Sequence, residues 1–275
     1  MIRPPRSVLY VPADRPRALA KLPELRCDAV ILDLEDAVLP EHKGEARAGA
    51  ARVLRAGANK PLLLRLNGPG TPWEQDDLEL ALRFAPAGIV LPKAEEPTRV
   101  REVSLGLPLW LMIETPLGVR RAAELAAVTG VAGLIVGAND LLLGLRARLT
   151  PDRSALLHAL SSVVLSARIH GLAALDAVHN DLQDEAGLER TSSQGRDLGF
   201  DGRTLIHPAQ IETVNRIYGV SDAEAQEARE LLAVWEAARQ EGRGAAVYRG
   251  RMIEELHARG ARELLERWAA QEAEA

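Results

Sequence analysis

The constraint that most limits how this chain can fold is the regular return of short apolar runs. They read SVLYV from Ser7, AVILDLE from Ala29, LLLRLN from Leu62, GIVLPK from Gly88, LWLMIE from Leu109, AGLIVG from Ala132, AALDAV from Ala173 and GRTLIH from Gly202. Between most of them lie Ala-, Leu-, Arg- and Glu-rich segments at helical spacing, such as Glu45 to Ala56 and Ala155 to Arg168. Near-continuous apolar runs are how strands of a parallel sheet read, because helices cover both of its faces. Eight such strands alternating with helices in fewer than about 220 residues predict a (β/α)8 TIM barrel. An open doubly wound sheet would bring a glycine-rich phosphate turn after the first strand, where this chain reads VPADRP.

The barrel is assigned to residues 1–219, and beyond Tyr218 the character changes. Ser221 to Arg239 reads as one amphipathic helix opened by Ser221, with Asp222 and Glu224 in its first turn. EGRGAAVYRGRMIEELHARG then reads as a glycine-punctuated loop leading to a last helix that ends near Trp268. Residues 220–275 are thus expected to form a helical extension too small to bury its own core. It should pack on the barrel or on another subunit. No solenoid-like repeat is visible, and the only low-complexity stretch is the tail QEAEA.

Composition narrows the functional classes. At 47% hydrophobic and 27% charged residues the balance is that of a soluble globular protein. A formal net charge of −5 argues against nucleic acid or an anionic membrane as partner. One cysteine, Cys27, excludes an intrachain disulfide and fits a reducing compartment; it reads as a small core residue. MIRPPRSVLYVP lacks the long apolar stretch of a secretory signal, and no uncharged run approaches the roughly 18 residues of a membrane span. A cytoplasmic protein is expected.

Active sites of such barrels lie at the C-terminal ends of the strands. Strand two delivers Glu35 and Asp36 there, strand three Arg65 and Asn67, strand four Lys93, strand five Glu114, strand six Asn139 and Asp140, strand seven Asp176 and strand eight His207. Each has a structural alternative. Glu35 and Arg65 could form an ion pair across neighbouring strands, Lys93 could close its strand, His207-Pro208 could open a helix, and Glu114 and Asp140 could cap helices or pair with arginines. Thr115 as N-cap and Pro116 as first helical residue place Glu114 at the mouth of its strand. If strands five and six are neighbours, their mouths lie about 5 Å apart, where one hard cation could bridge Glu114 and Asp140. Two carboxylates suit Mg²⁺, which keeps waters and takes substrate oxygens, whereas no His/Cys set converges for Zn²⁺. The planar fork of Arg65 suits a substrate carboxylate. Backbone N–H groups from Gly137 to Asn139 could hold a second oxygen.

These residues carry a family likeness. RSVLYVPADRP, LDLEDAV, LLLRLNGPGTPW, VLPKAE, LMIETPLGV, GANDL and GFDGRTLIHPAQIETVN resemble the citrate lyase β-subunit-like branch of the HpcH/HpaI aldolase superfamily, which includes citryl-CoA, malyl-CoA and citramalyl-CoA lyases. The likeness implies Mg²⁺ on Glu114 and Asp140, and an Arg65 that binds a keto-acid carboxylate. In the pyruvate-aldolase branch a histidine base follows the glutamate of strand two; Asp36 stands there here, which favours the thioester lyases. In those lyases a GxMID-like segment carries an acid over a neighbouring subunit's site. The counterpart GRMIEEL places Glu254 at that aspartate, a departure that leaves its role open.

The expected reaction is cleavage of a citryl-type thioester, on CoA or an acyl carrier protein, into oxaloacetate and an acetyl thioester. Arg65, Glu35, Asp36 and Glu254 are the candidate catalytic residues, and Arg65, Glu114, Gly137 and Asn139 the candidate substrate contacts. A homotrimer or hexamer is expected. Rival readings are hydrolysis of a malyl or citramalyl thioester, and a subunit that works only within a citrate lyase complex. Arg15, Arg17 and Lys21 could meet CoA phosphates or be solvated surface charges.

Overall fold

The structure, a computed structural model, describes residues 4–104 and 106–274. Eight parallel strands close into a barrel in chain order: β1 (Ser7–Pro12), β2 (Ala29–Asp33), β3 (Leu62–Arg65), β4 (Gly88–Leu91), β5 (Leu109–Ile113), β6 (Val131–Val136), β7 (Ala173–Asp176) and β8 (Gly202–Leu205). β8 pairs back onto β1, with Ser7 opposite Arg203, so every strand has two neighbours and no edge is left open. Helices follow the strands, as the sequence spacing requires; Lys43–Ala56, Leu157–Ile169 and Glu185–Leu198 are the long ones. The fold is the (β/α)8 barrel. Among the described residues no helix is long and apolar enough to cross a membrane.

The side-chain period of two divides each strand between the barrel interior and the helix layer. Val8, Ala29, Ile31, Leu63, Val90, Trp110, Met112, Ile135 and Leu175 form the interior cluster. Trp110 is the bulkiest of them, and it fits because its neighbour on β6, in register, is Gly133. A Cβ on Gly133 would lie 2.4 Å from the Trp110 ring and 3.1 Å from the Ala173 carbonyl oxygen. One step further along the same inward rows stand Tyr10, Asp33, Arg65, Glu114 and Gly137, which close the apolar interior with a polar layer.

The segment between β5 and β6 differs from the single helix anticipated. Thr115 caps it as expected, its hydroxyl accepting from Gly118 N at 3.0 Å. The helix then breaks at Arg121 into two short pieces, Pro116–Arg120 and Ala122–Ala126.

The chain divides into two compact units, Pro4–Asn215 and residues 216–274. The second begins inside the helix Ile211–Tyr218, four residues ahead of the expected boundary. Its main helix, Asp222–Gln240, opens with a full capping box between Ser221 and Glu224. Two expectations are corrected here. The glycine-punctuated segment contains a hairpin, β9 (Ala246–Tyr248) and β10 (Arg251–Ile253). Arg249 and Gly250 both have positive φ, 46° and 78°, as a two-residue type I′ turn demands. The unit also buries a core of its own from Trp235, Ala238, Ala246, Ile253 and Ala258. Its last helix runs from Glu255 to Glu274, past Trp268.

Gly133→Ala should destabilise the barrel by about 1–3 kcal/mol, the range for forcing one methyl into a packed core. The companion change Trp110→Phe should recover part of that loss. Denaturant unfolding of the single and double variants checks both, and additive losses would show that the ring is not what the methyl meets.

Candidate active site

The polar layer is built on one buried pair. Asp33 and Arg65 stand opposite each other in the β2–β3 register, fully and nearly fully buried. Asp33 accepts from Arg65 Nε at 2.7 Å and from Nη2 at 2.6 Å. Burial works against the guanidinium's charge, but Asp33 outweighs it and holds Arg65 well above its ordinary value. The Tyr10 ring lies 4.8 Å under the guanidinium carbon, and Met112 Sδ accepts from Nη1 at 3.8 Å. With its Nε edge committed to Asp33, Arg65 presents the end bearing Nη1 and Nη2.

Glu35 sits at that end. Arg65 Nη1 is 2.9 Å from Glu35 Oε2 and 3.8 Å from Asp36 Oδ2. The contact with Glu35 is an ion pair off the line of a hydrogen bond, so the buried Oε2 accepts none. Burial raises the Glu35 carboxyl above its ordinary value, against the opposing pull of Arg65. Asp36 is 60% exposed and points toward solvent. The loop carrying both acids is pinned from below by Lys43, whose ammonium donates to the carbonyls of Leu34 and Glu35, each at 2.7 Å.

Glu114 ends β5. Its Oε1 accepts from Lys93 N at 2.6 Å, and Gly137 makes room for its other oxygen. A Cβ on Gly137 would lie 2.4 Å from Glu114 Oε2, so only glycine lets the end of β6 pass so close. Burial pushes the Glu114 carboxyl from its ordinary value of 4.5 up to about 7, with help from the charges of Glu35 and Asp140. Asp140 follows on the helix Ala138–Leu145, with a half-buried carboxylate.

Lys93 ties the group together. Its backbone takes the left-handed conformation, φ 51°, which aims its N–H at Glu114. Its ammonium is 3.0 Å from Glu35 Oε1 and 3.7 Å from Asp140 Oδ2. Beside it a cavity of about 510 Å³ is lined by Glu35, Leu39, Lys43, Thr71, Trp73 and Lys93 among others.

Glu35, Asp36, Arg65, Lys93, Glu114 and Asp140 thus converge at the mouth. Asp176 and His207 serve the scaffold instead, whereas Asn67 lines the cavity and is itself held by the scaffold. Asn67 donates to buried Asp77 through its backbone and side chain. Asp176 takes both its oxygens to Arg153 at 2.8 Å. His207 Nδ1 accepts from Ala209 N at the start of a short helix. Gly137 N donates to Ile113 O, which leaves the first-turn N–H groups of Ala138 and Asn139 without intrahelical acceptors. The Asn139 side chain pairs with Asn180, at 2.7 Å in the shorter of two contacts. Glu254 lies in the other unit, its N–H donating to His257 Nδ1. Sequence reasoning missed the parts of Asp33 and Lys43; the same-parity spacing of Asp33 and Glu35 was the available signal for the first.

The donor set suits a divalent cation. Among the described residues no group of three His, Cys, Asp or Glu side chains is placed to hold a metal; Glu114 and Asp140 are the pair that would hold one, with the remaining positions left to water and ligand. Glu114 Oε2 in its glycine cradle, surrounded by like charges, is what such an ion would neutralise.

A barrel whose mouth joins an anchored guanidinium to clustered carboxylates has the layout of a barrel enzyme's active site. The family model for HpcH/HpaI aldolase/citrate lyase matches residues 6–208, and the chain belongs to that family. Among its relatives is a (3S)-malyl-CoA thioesterase of Cereibacter sphaeroides, 42% identical, with 95% of this chain and 94% of the relative covered. A citrate lyase subunit beta-like protein of Deinococcus radiodurans is 39% identical over 94% of this chain and 96% of its own. Among solved structures, CitE of Mycobacterium tuberculosis in complex with magnesium, acetoacetate and coenzyme A superposes with a TM-score of 0.84 at 33% identity, covering 97% of this chain and 98% of that one.

The raised Glu114 carboxyl has a consequence for stability without metal. Between about pH 4.5 and 7 the folded chain holds a proton at Glu114 that the unfolded chain releases, so this group's contribution falls as pH rises through that window. At about 1.4 kcal/mol per unit the change is on the order of 3 kcal/mol. In EDTA, Glu114→Gln should therefore be more stable than wild type at pH 8, with the advantage gone by pH 4.5. Parallel unfolding curves at the two pH values check it.

Proposed function

We propose that the enzyme acts with Mg²⁺ on the CoA thioester of a short hydroxy diacid, and that its substrate is malyl-CoA, which it hydrolyses. The observation that carries the reading is Glu35: a buried carboxylate with one oxygen free of hydrogen bonds, held between the open end of Arg65 and Lys93. The 42% identity to a (3S)-malyl-CoA thioesterase, spanning both units, supports the substrate. Mg²⁺ bound by Glu114 and Asp140 would supply a Lewis acid for the substrate's oxygens. Arg65 binds the substrate carboxylate through Nη1 and Nη2 while Asp33 keeps its plane fixed. Glu35 takes a proton from the reacting face, with Asp36 as the exposed relay to solvent. The cavity beside Glu35 and Lys93 admits the thioester arm. Glu254 is the acid that a neighbouring copy of a homotrimer or hexamer supplies.

A second reading is cleavage of a citryl-type thioester into oxaloacetate and an acetyl thioester. The citrate lyase β-type relatives and a solved CitE complex with oxaloacetate and magnesium support it. The two readings differ in the bond broken: hydrolysis turns malyl-CoA and water into malate and CoA, whereas cleavage leaves the thioester intact on the acetyl product.

Malyl-CoA and citryl-CoA incubated with enzyme and Mg²⁺, assayed in parallel for free thiol and for keto acid, separate them. Free CoA from malyl-CoA without keto acid is expected; oxaloacetate from citryl-CoA selects the second reading. Full turnover in EDTA, or in Glu114→Gln or Asp140→Asn, would sink the metal.

Arg65→Lys should cost about 2–4 kcal/mol of transition-state stabilisation, the loss seen when a preorganised donor is removed. It should also lower the melting temperature, because lysine cannot give buried Asp33 its two parallel donors. Turnover and thermal unfolding measured on one preparation test both effects; a stable variant with normal turnover contradicts the assignment.

A further inference from the structure

Lys93 touches three carboxylates from one position: Glu114 through its N–H, and Glu35 and Asp140 through its ammonium. It does so in a left-handed backbone conformation, φ 51°, which an L residue adopts at a cost and which the surroundings must impose. A lysine that merely closed β4 would need neither the conformation nor the reach. The Lys93 ammonium stands between two acids, 3.0 Å from Glu35 Oε1 and 3.7 Å from Asp140 Oδ2. The ammonium therefore stands as a fixed positive charge inside the acidic cluster.

We propose that Lys93 is an internal counter-ion that competes with the metal for the cluster: it holds Glu35 and Asp140 together before the cation arrives and gives up Asp140 when it binds. The proposal rests on Glu114 and Asp140 being the cation's ligands. Two positive charges cannot share Asp140 at contact distance without repulsion. Metal binding thus transfers Lys93 wholly to Glu35, where it sets the charge facing the substrate. Lys93 is in this sense a positioning residue, coupling cation occupancy to the placement of Glu35.

The test is Mn²⁺ binding followed by electron paramagnetic resonance at pH 8, without substrate, on wild type, Lys93→Met, Lys93→Arg, Glu114→Gln and Asp140→Asn. Methionine keeps the length of the side chain and removes its charge. Lys93→Met should bind Mn²⁺ about tenfold more tightly than wild type, and Lys93→Arg, which restores the charge, should stay within about threefold of it. The melting temperature should agree: Lys93→Met should be less stable than wild type in EDTA and gain more on adding Mn²⁺. Unchanged or weaker binding in Lys93→Met overturns the counter-ion role while leaving the metal site standing. Wild-type binding that is absent, or that survives in both Glu114→Gln and Asp140→Asn, overturns the ligand assignment and the Lys93 proposal with it.

Discussion

The site depends on the buried pair between Asp33 and Arg65. A guanidinium at the top of an apolar barrel interior would be costly alone, because burial penalises its charge. Asp33, directly opposite in register, makes it tolerable with two parallel hydrogen bonds. The pair also removes the freedom of a long side chain. With one edge locked and Tyr10 beneath its plane, Arg65 has one orientation, and its remaining donors face Glu35. A removed partner would leave an uncompensated buried charge, so this contact specifies geometry more than it adds stability.

The other acidic groups are organised around that fixed point in a graded way. Glu35 is buried, ion-paired and held in place by Lys43 beneath its loop. Glu114 is buried against Gly137, with one oxygen committed to a backbone donor. Asp36 is exposed and Asp140 half-buried. Buried groups therefore line the inner wall and more accessible ones the outer rim, the arrangement expected when a ligand is oriented from below and water is exchanged from above. Positive charge is distributed to match, with Arg65 in the wall and Lys93 reaching across the rim.

Much of this was legible in the sequence because the barrel repeats one simple signal eight times. The runs at Ser7, Ala29 and Leu62 are apolar on both faces, and each breaks into a polar residue where the strand ends. That break point is also where a barrel keeps its chemistry, so Arg65, Glu35, Glu114 and Asp140 could be named before any geometry was known. What stayed hidden depended on register and backbone conformation. That Arg65 leans first on Asp33 follows from the β2–β3 alignment, which a slip of one residue would reverse. The left-handed turn at Lys93 leaves no composition signal at all. The hairpin at Ala246–Ile253 escaped because its strands are three residues long and its turn is Arg-Gly rather than Asn-Gly.

The Trp110 ring seated against Gly133 has a meaning beyond packing density. It makes the lower barrel a stopper: behind Asp33, Arg65 and Glu114 lies the closely fitted apolar cluster of Val8, Ile31, Leu63, Trp110 and Ile135. The polar layer opens to solvent at the mouth, where the cavity lies. A ligand held by the polar layer would be screened from below by this plug and would meet water from the mouth alone. What such a ligand encounters is then set at the rim, a layer away from the plug on which the barrel stands.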